Sequence, residues 1–281
     1  MEQDREKFFK KINQLLDEFF PEKFDFQSIE KYQFFKWEKK VFTYYLKHIL
    51  NPQIIDFEDL IGIDAIKEQV YNNTLQFVKG YPANNVLLWG ERGCGKSSLI
   101  KSIVKKFSNS NLKLIEVRRR DFQSLEELFD LVVKINYKFI IFLDDISFST
   151  EDVEYKALKS ILDGSVISSH ENILIYATSN RRHMVKEHHI SEDEIHKIDV
   201  ISERVSLSDR FGISLGIYKP NKDVYLKIVK NYIRKFSVEN FYTEQDALNF
   251  AMYKGGFSGR TAYQFAINLI GKRLENGNST F

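Results

Sequence analysis

A chain of 281 residues with 43% hydrophobic and 28% charged residues can bury one large domain plus a smaller one, and its composition is that of a globular protein. The 41 basic and 39 acidic residues leave a net charge of +2, which excludes a global field drawing the chain to nucleic acid or an anionic membrane. One cysteine, Cys94, excludes an intrachain disulfide framework, and neither a signal-peptide core nor an apolar run of ~20 residues is present, so a soluble, cytoplasmic protein with no membrane partner is expected.

Residues 1–52 contain no glycine and read as an aromatic-rich, mostly helical extension. Phe8, Ile12, Leu15, Leu16 and Phe19 mark one face of an amphipathic helix that Pro21 ends. Beyond it Phe34, Phe35, Trp37, Phe42, Tyr44 and Tyr45 interleave with Lys31, Lys36, Lys39, Lys40 and Lys47. Such a stretch can stack bases over a basic groove. It can equally form a small core with a solvated lysine face, which the balancing acids Glu30 and Glu38 favour. Asn51-Pro52 is the expected boundary.

Residues 53–218 alternate strand and helix patterns. Phe57–Gly62 leads into a helix marked by Ile66, Val70, Thr74 and Phe77, and Val86–Trp89 reads as a buried strand. Leu112–Val117, Phe139–Leu143 and Ile173–Ser179 follow as strands, with helices around Leu125–Val133 and Ala157–Leu162 between them. This order predicts an α/β fold with a parallel sheet. Residues 219–281 are purely helical. Asn221 is a candidate N-cap, and Thr243 with Asp246 resembles a capping box.

The chemistry concentrates at Gly90-Glu91-Arg92-Gly93-Cys94-Gly95-Lys96-Ser97, followed by Ser98, which fits G-x-x-x-x-G-K-[ST] between a strand and a helix. Glycines let the backbone fold round a phosphate chain, and the helix N-terminus adds partial positive charge. Lys96 would reach the β- and γ-phosphates of a nucleoside triphosphate, and the Ser97 hydroxyl would bind Mg²⁺. Asp144 and Asp145 end a buried strand, where ligands collect in open α/β sheets. Asp144 suits the metal, and Asp145 suits the attacking water. Cys94 is either a thiol activated by the helix N-terminus or, as we favour, a small residue that fits the loop.

These motifs resemble those of the AAA+ ATPase superfamily over residues 55–270. The chain is similar in particular to a family of uncharacterised bacterial AAA+ proteins known only as predicted ATP-binding proteins. The resemblance implies a P-loop NTPase with a five-stranded parallel sheet of order 5-1-4-3-2, a C-terminal helical lid and MgATP as ligand. It puts Ile61 and Gly62 against adenine, Asn180 at the sensor-1 position, and Arg260 at the sensor-2 position of the lid. Arg210, in Ser208-Asp209-Arg210-Phe211, resembles the arginine finger that reaches a neighbouring subunit, with Arg204 as a competitor. A homo-oligomeric ring such as a hexamer follows. The usual Asp-Glu at the end of Walker B is Asp144-Asp145 here, and Asp145 is one methylene shorter. Replication-initiator and helicase-loader ATPases share Asp-Asp-Ile, and many of them hydrolyse slowly.

The expected activity is ATP hydrolysis to ADP and phosphate, coupled to remodelling of a protein partner. The alternative is a slow ATP-gated switch acting with nucleic acid. A binding module without useful turnover and a nucleoside kinase are weaker readings. His183, His188, His189 and His196 lack metal-ligand spacing. Arg118-Arg119-Arg120 could touch phosphates, though a solvated edge is the simpler reading.

Overall fold

The computed structural model describes residues 5–7, 9–12, 26–146, 153–162, 171–180, 210–237 and 242–277. Its centre is one seven-stranded sheet. In chain order the strands are β1 (Phe34–Lys40), β2 (Thr43–His48), β3 (Val86–Gly90), β4 (Leu112–Val117), β5 (Lys138–Leu143), β6 (Ile173–Ser179) and β7 (Ile213–Ile217). Their spatial order is β2-β1-β4-β5-β6-β3-β7, and every pairing is parallel except β1 with β2.

The five strands β4-β5-β6-β3-β7 have the expected order when counted from the P-loop strand. The sheet is wider than expected. Residues 34–48 lie in a stretch read as mostly helical, but they form a hairpin that pairs β1 parallel to β4 and leaves β2 at the edge. Only the short helix α1 (Phe26–Lys31) precedes it among residues 26–48. Phe35 and Trp37 are completely buried, so the packing reading of the aromatics holds for this face. The first amphipathic helix expected at Phe8–Phe19 lies largely outside the described residues.

Strand alternation sorts the core into two layers. On β5, Phe139, Ile141 and Leu143 face one cluster and Ile140 and Phe142 the other, so the uninterrupted apolar run is a strand buried on both faces. The helices α2 (Asp64–Val78) and α3 (Lys96–Lys106) cover one face through Val70, Phe77, Leu99, Ile100, Ile103 and Val104. The other face is covered by α4 (Leu125–Val132) and α5 (Val153–Leu162). Fixed polar bonds set where β3 begins. Asn73 Nδ2 donates to the Asn84 carbonyl (2.9 Å), and its Oδ1 accepts from the Asn84 amide (2.9 Å). Asn85 Oδ1 accepts from the Ile175 amide of β6 (2.8 Å).

Three further helices, α6 (Lys222–Phe236), α7 (Glu244–Tyr253) and α8 (Gly259–Gly277), share a separate apolar cluster around Tyr225, Val229, Phe265 and Leu269. Asn221 caps α6 by accepting from the Val224 amide, and Thr243 and Asp246 form the expected reciprocal capping box of α7. Among the described residues no helix is long and apolar enough to cross a membrane.

Candidate functional site

The loop from Gly90 to Ser97 joins β3 to α3 at the C-terminal edge of the sheet. At Gly90 (φ 135°) a Cβ would fall 1.9 Å from the Ile217 carbonyl oxygen, so only glycine allows β7 to pair this close to the loop. Lys96 is almost fully buried, and its Nζ donates to the carbonyls of Gly90 (2.7 Å) and Glu91 (2.8 Å) and to Asn180 Oδ1 (3.1 Å). Burial pulls its pKa below the ordinary lysine range, against the nearby acids Asp145 and Asp144 that favour the charged form. An ammonium capping its own loop's carbonyls lies where a phosphate chain gives it stronger partners.

Beside it the ends of β5 and β6 bring the acids together. Ser97 Oγ and Thr178 Oγ1 each donate to Asp144 Oδ1 at 2.6 Å. Thr178 Oγ1 also accepts from the Asp145 amide (2.8 Å). Asp145 sits in the left-handed region (φ 54°), which among non-glycine residues Asp and Asn tolerate best. Its Oδ1 accepts from Asn180 Nδ2, and its Oδ2 lies 3.7 Å from Arg92 Nη2. A hydroxyl and a carboxylate converging on one point fit the oxygen-rich, partly protein-held coordination that Mg²⁺ takes beside phosphates. The loop residues therefore fit both the nucleotide and the ion.

The cleft above these groups has a volume of about 880 Å³. Ile61, Gly62, Arg92–Ser98, Asp144, Asp145, Asn180 and Arg260 all line it, so most of the residues singled out from sequence meet in one place. Residues after the sheet's last strand meet the loops of the cleft at several points. A Cβ on Gly62 (φ 85°) would lie 2.5 Å from Val224 Cγ1, the Arg260 amide donates to the Gly93 carbonyl (3.3 Å), and Lys219 pairs with Glu91 (2.6 Å). Lys235 and Asn231 of α6 both bind Asp59 in the segment that carries Ile61.

Arg210 is exposed and does not line this cleft, whereas the adjoining Phe211 is buried in the core. Arg204 and the four histidines lie outside the described residues. Burial pushes the Cys94 thiol up, the reverse of the activated thiol considered above. Sequence reasoning missed Thr178, the second hydroxyl on Asp144, and the aromatic rings Tyr218, Tyr232 and Tyr263 of the cleft wall. A polar residue next to the end of a fully buried strand was the available signal for Thr178.

Sheet order, P-loop and paired strand-end acids together define a P-loop protein with the AAA+ fold. More narrowly, the chain belongs to the family described as "Protein of unknown function (DUF815)", which matches residues 30–273. Among solved structures it is similar to the Thermotoga maritima RuvB Holliday junction branch migration motor, at 17% identity and TM-score 0.50, covering 75% of this chain and 62% of that one. It is also similar to the Aeropyrum pernix ORC1 protein in complex with DNA, at 13% identity and TM-score 0.54, covering 80% and 66%. A DNA replication initiation factor matches at 18% identity and TM-score 0.52, covering 82% and 69%. At such identities the likeness is one of fold, and the chain spans 62% of the length of the RuvB chain. None of the curated proteins matches the chain significantly.

Proposed function

We propose that this chain binds ATP with Mg²⁺, hydrolyses it to ADP and phosphate in a homo-oligomer, and uses the cycle to remodel a protein partner. The observation that carries the reading is the meeting of Lys96, Ser97, Asp144, Asp145 and Asn180 at one edge of the sheet. Residues 53–218 act as the nucleotide-binding unit, 219–281 as its lid and 1–52 as an extension.

Phosphoryl transfer is catalysed by positioning and by neutralising charge on the γ-phosphate. Lys96 leaves its carbonyl partners for the β- and γ-phosphate oxygens. Ser97 and Asp144 would hold the Mg²⁺, which would supply positive charge against that of the phosphates. Asp145 orients the attacking water, and Asn180, already bonded to both Asp145 and Lys96, fixes that water relative to the γ-phosphate. Ile61 and Gly62 border the adenine, and Arg260 brings lid charge to the phosphates. Arg210 completes the site of a neighbouring subunit, an effect worth 10³–10⁵ in kcat for arginine fingers elsewhere. The short Asp145 side chain keeps turnover slow, because a displacement of about 1 Å can cost ~10²-fold.

A second reading, an ATP-gated switch acting with nucleic acid, is favoured by the crowding of basic side chains at the hairpin edge of the sheet. Product analysis tests the common core of both. Wild-type protein with MgATP yields ADP and inorganic phosphate in equal amounts, and Lys96→Ala yields neither above background. Phosphate transferred to a nucleoside acceptor, or unchanged release by Lys96→Ala, contradicts the assignment.

A further inference from the structure

Thr178 stands on β6 between the P-loop strand and the strand that ends in the acids. On one side its backbone is fixed in the ladder, opposite Leu88 of β3. On the other side the regular pairing of β6 with β5 stops at Ala177 and Leu143, one step short of it. Beyond that rung Thr178 itself takes over from the ladder. Its carbonyl accepts from the Ile146 amide (2.8 Å), and its Oγ1 accepts from the Asp145 amide (2.8 Å). Two consecutive amides of the acid turn thus end on one residue. Between them Asp145 is held at φ 54°, a conformation that costs free energy and persists only where its surroundings over-determine it.

A hydroxyl carries one proton, and this one goes to Asp144 Oδ1 (2.6 Å). Ser97 Oγ donates to the same oxygen at 2.6 Å, so Asp144 is gripped from the P-loop and from β6 together. One hydroxyl therefore accepts from the backbone of one acid and donates to the side chain of the other. Packing alone does not call for it. Thr178 is 1% exposed, and a hydroxyl buried to that degree is costly unless its hydrogen bonds are met. Valine would fill the same space. The β-branch also stiffens χ1, which keeps the hydroxyl on its two partners.

We infer that Thr178 is a positioning residue for ATP hydrolysis, whose one hydroxyl aims Asp144 at the metal and Asp145 at the attacking water. The inference rests on the reading of the site as an ATPase and adds to it the group that sets both acids in register with the P-loop strand. Thr178 acts through the two carboxylates, so the nucleotide still binds without its hydroxyl, while the metal and the water are poorly held.

The experiment compares Thr178→Val, which keeps the shape and loses the hydroxyl, with Thr178→Ser, which keeps the hydroxyl. Phosphate release is measured at saturating MgATP. Calorimetry measures binding of adenylyl imidodiphosphate, a non-hydrolysable ATP analogue, in Mg²⁺ and in EDTA. Thr178→Val lowers kcat at least about tenfold and shrinks the tightening produced by adding Mg²⁺ by a similar factor, as loss of a group that orients a metal-holding carboxylate does. Its affinity in EDTA stays within about twofold of wild type, because that binding does not involve the oriented acids. Thr178→Ser keeps kcat and the Mg²⁺ effect near wild type, and Thr178→Ala, a second way to lose the hydroxyl, follows Thr178→Val in both. Circular dichroism identifies the folded variants. Wild-type kcat in a folded variant without the hydroxyl overturns the inference. So does a Thr178→Ser protein as impaired as Thr178→Val, which assigns the residue to packing. Failure of the ATPase reading looks different: wild type itself then shows no tightening by Mg²⁺ and no phosphate release that Lys96→Ala abolishes, and the inference falls with it.

Discussion

Asp145 must point a carboxylate into the cleft from a backbone held at φ 54°. Asp accepts that conformation more readily than Glu, so the short acid and the left-handed backbone fit one another. The same contacts that fix it, Asn180 on one oxygen and Arg92 near the other, link it to Lys96 through Asn180. Cys94 lies in the same loop, and its pKa is raised chiefly by burial. A raised thiol pKa lowers the thiolate fraction at any pH below it, and the thiolate is the nucleophile. Iodoacetamide should therefore alkylate Cys94 more slowly in the native chain than in the unfolded chain at pH 8, with the gap closing only as pH rises past the ordinary thiol range. Mass spectrometry of timed samples checks this, and equal rates at pH 8 would sink it.

At the scale of elements, the hairpin depends on Trp37, which is buried, stacked on Tyr44 and hydrogen-bonded to Ser124. Trp37→Ala should lower stability by about 3–5 kcal/mol in chemical denaturation, as large-to-small core changes do. A loss below about 1 kcal/mol would mean the hairpin is loosely attached. This hairpin also marks the limit of what the sequence disclosed. Its two-residue turn is Val41-Phe42, with none of the Gly, Asn or Asp residues that announce a tight hairpin, and its paired aromatics suit a helix face as well as a strand. β7 was equally hidden, because Ile213-Ser214-Leu215-Gly216-Ile217 is short and glycine-interrupted. The P-loop, the acid pair and the four long apolar strands were legible because each is a local pattern. Thr178's bond to Asp144 joins residues 34 positions apart in the chain and is set by strand register, which no local pattern encodes.

For the whole molecule, the C-terminal helices and the α/β sheet meet at the cleft. Gly62 admits Val224 where a side chain would collide, while Asp59 holds Lys235 and Asn231. Gly62→Val would force α6 away and strain a backbone at φ 85°, so ATP should bind at least tenfold more weakly while Lys96, Ser97 and Asp144 keep their geometry. Isothermal titration calorimetry measures this, and wild-type affinity would show that the lid does not bear on the nucleotide. Arg210 lies exposed outside its own cleft, so the proposed finger acts only between subunits. The decisive measurement is phosphate release per subunit as protein concentration is raised. Wild type should accelerate with concentration, while Arg210→Ala stays at the slow rate of the dilute chain. A rate independent of concentration, or an Arg210→Ala curve that follows wild type, would contradict an ATPase completed by its neighbour.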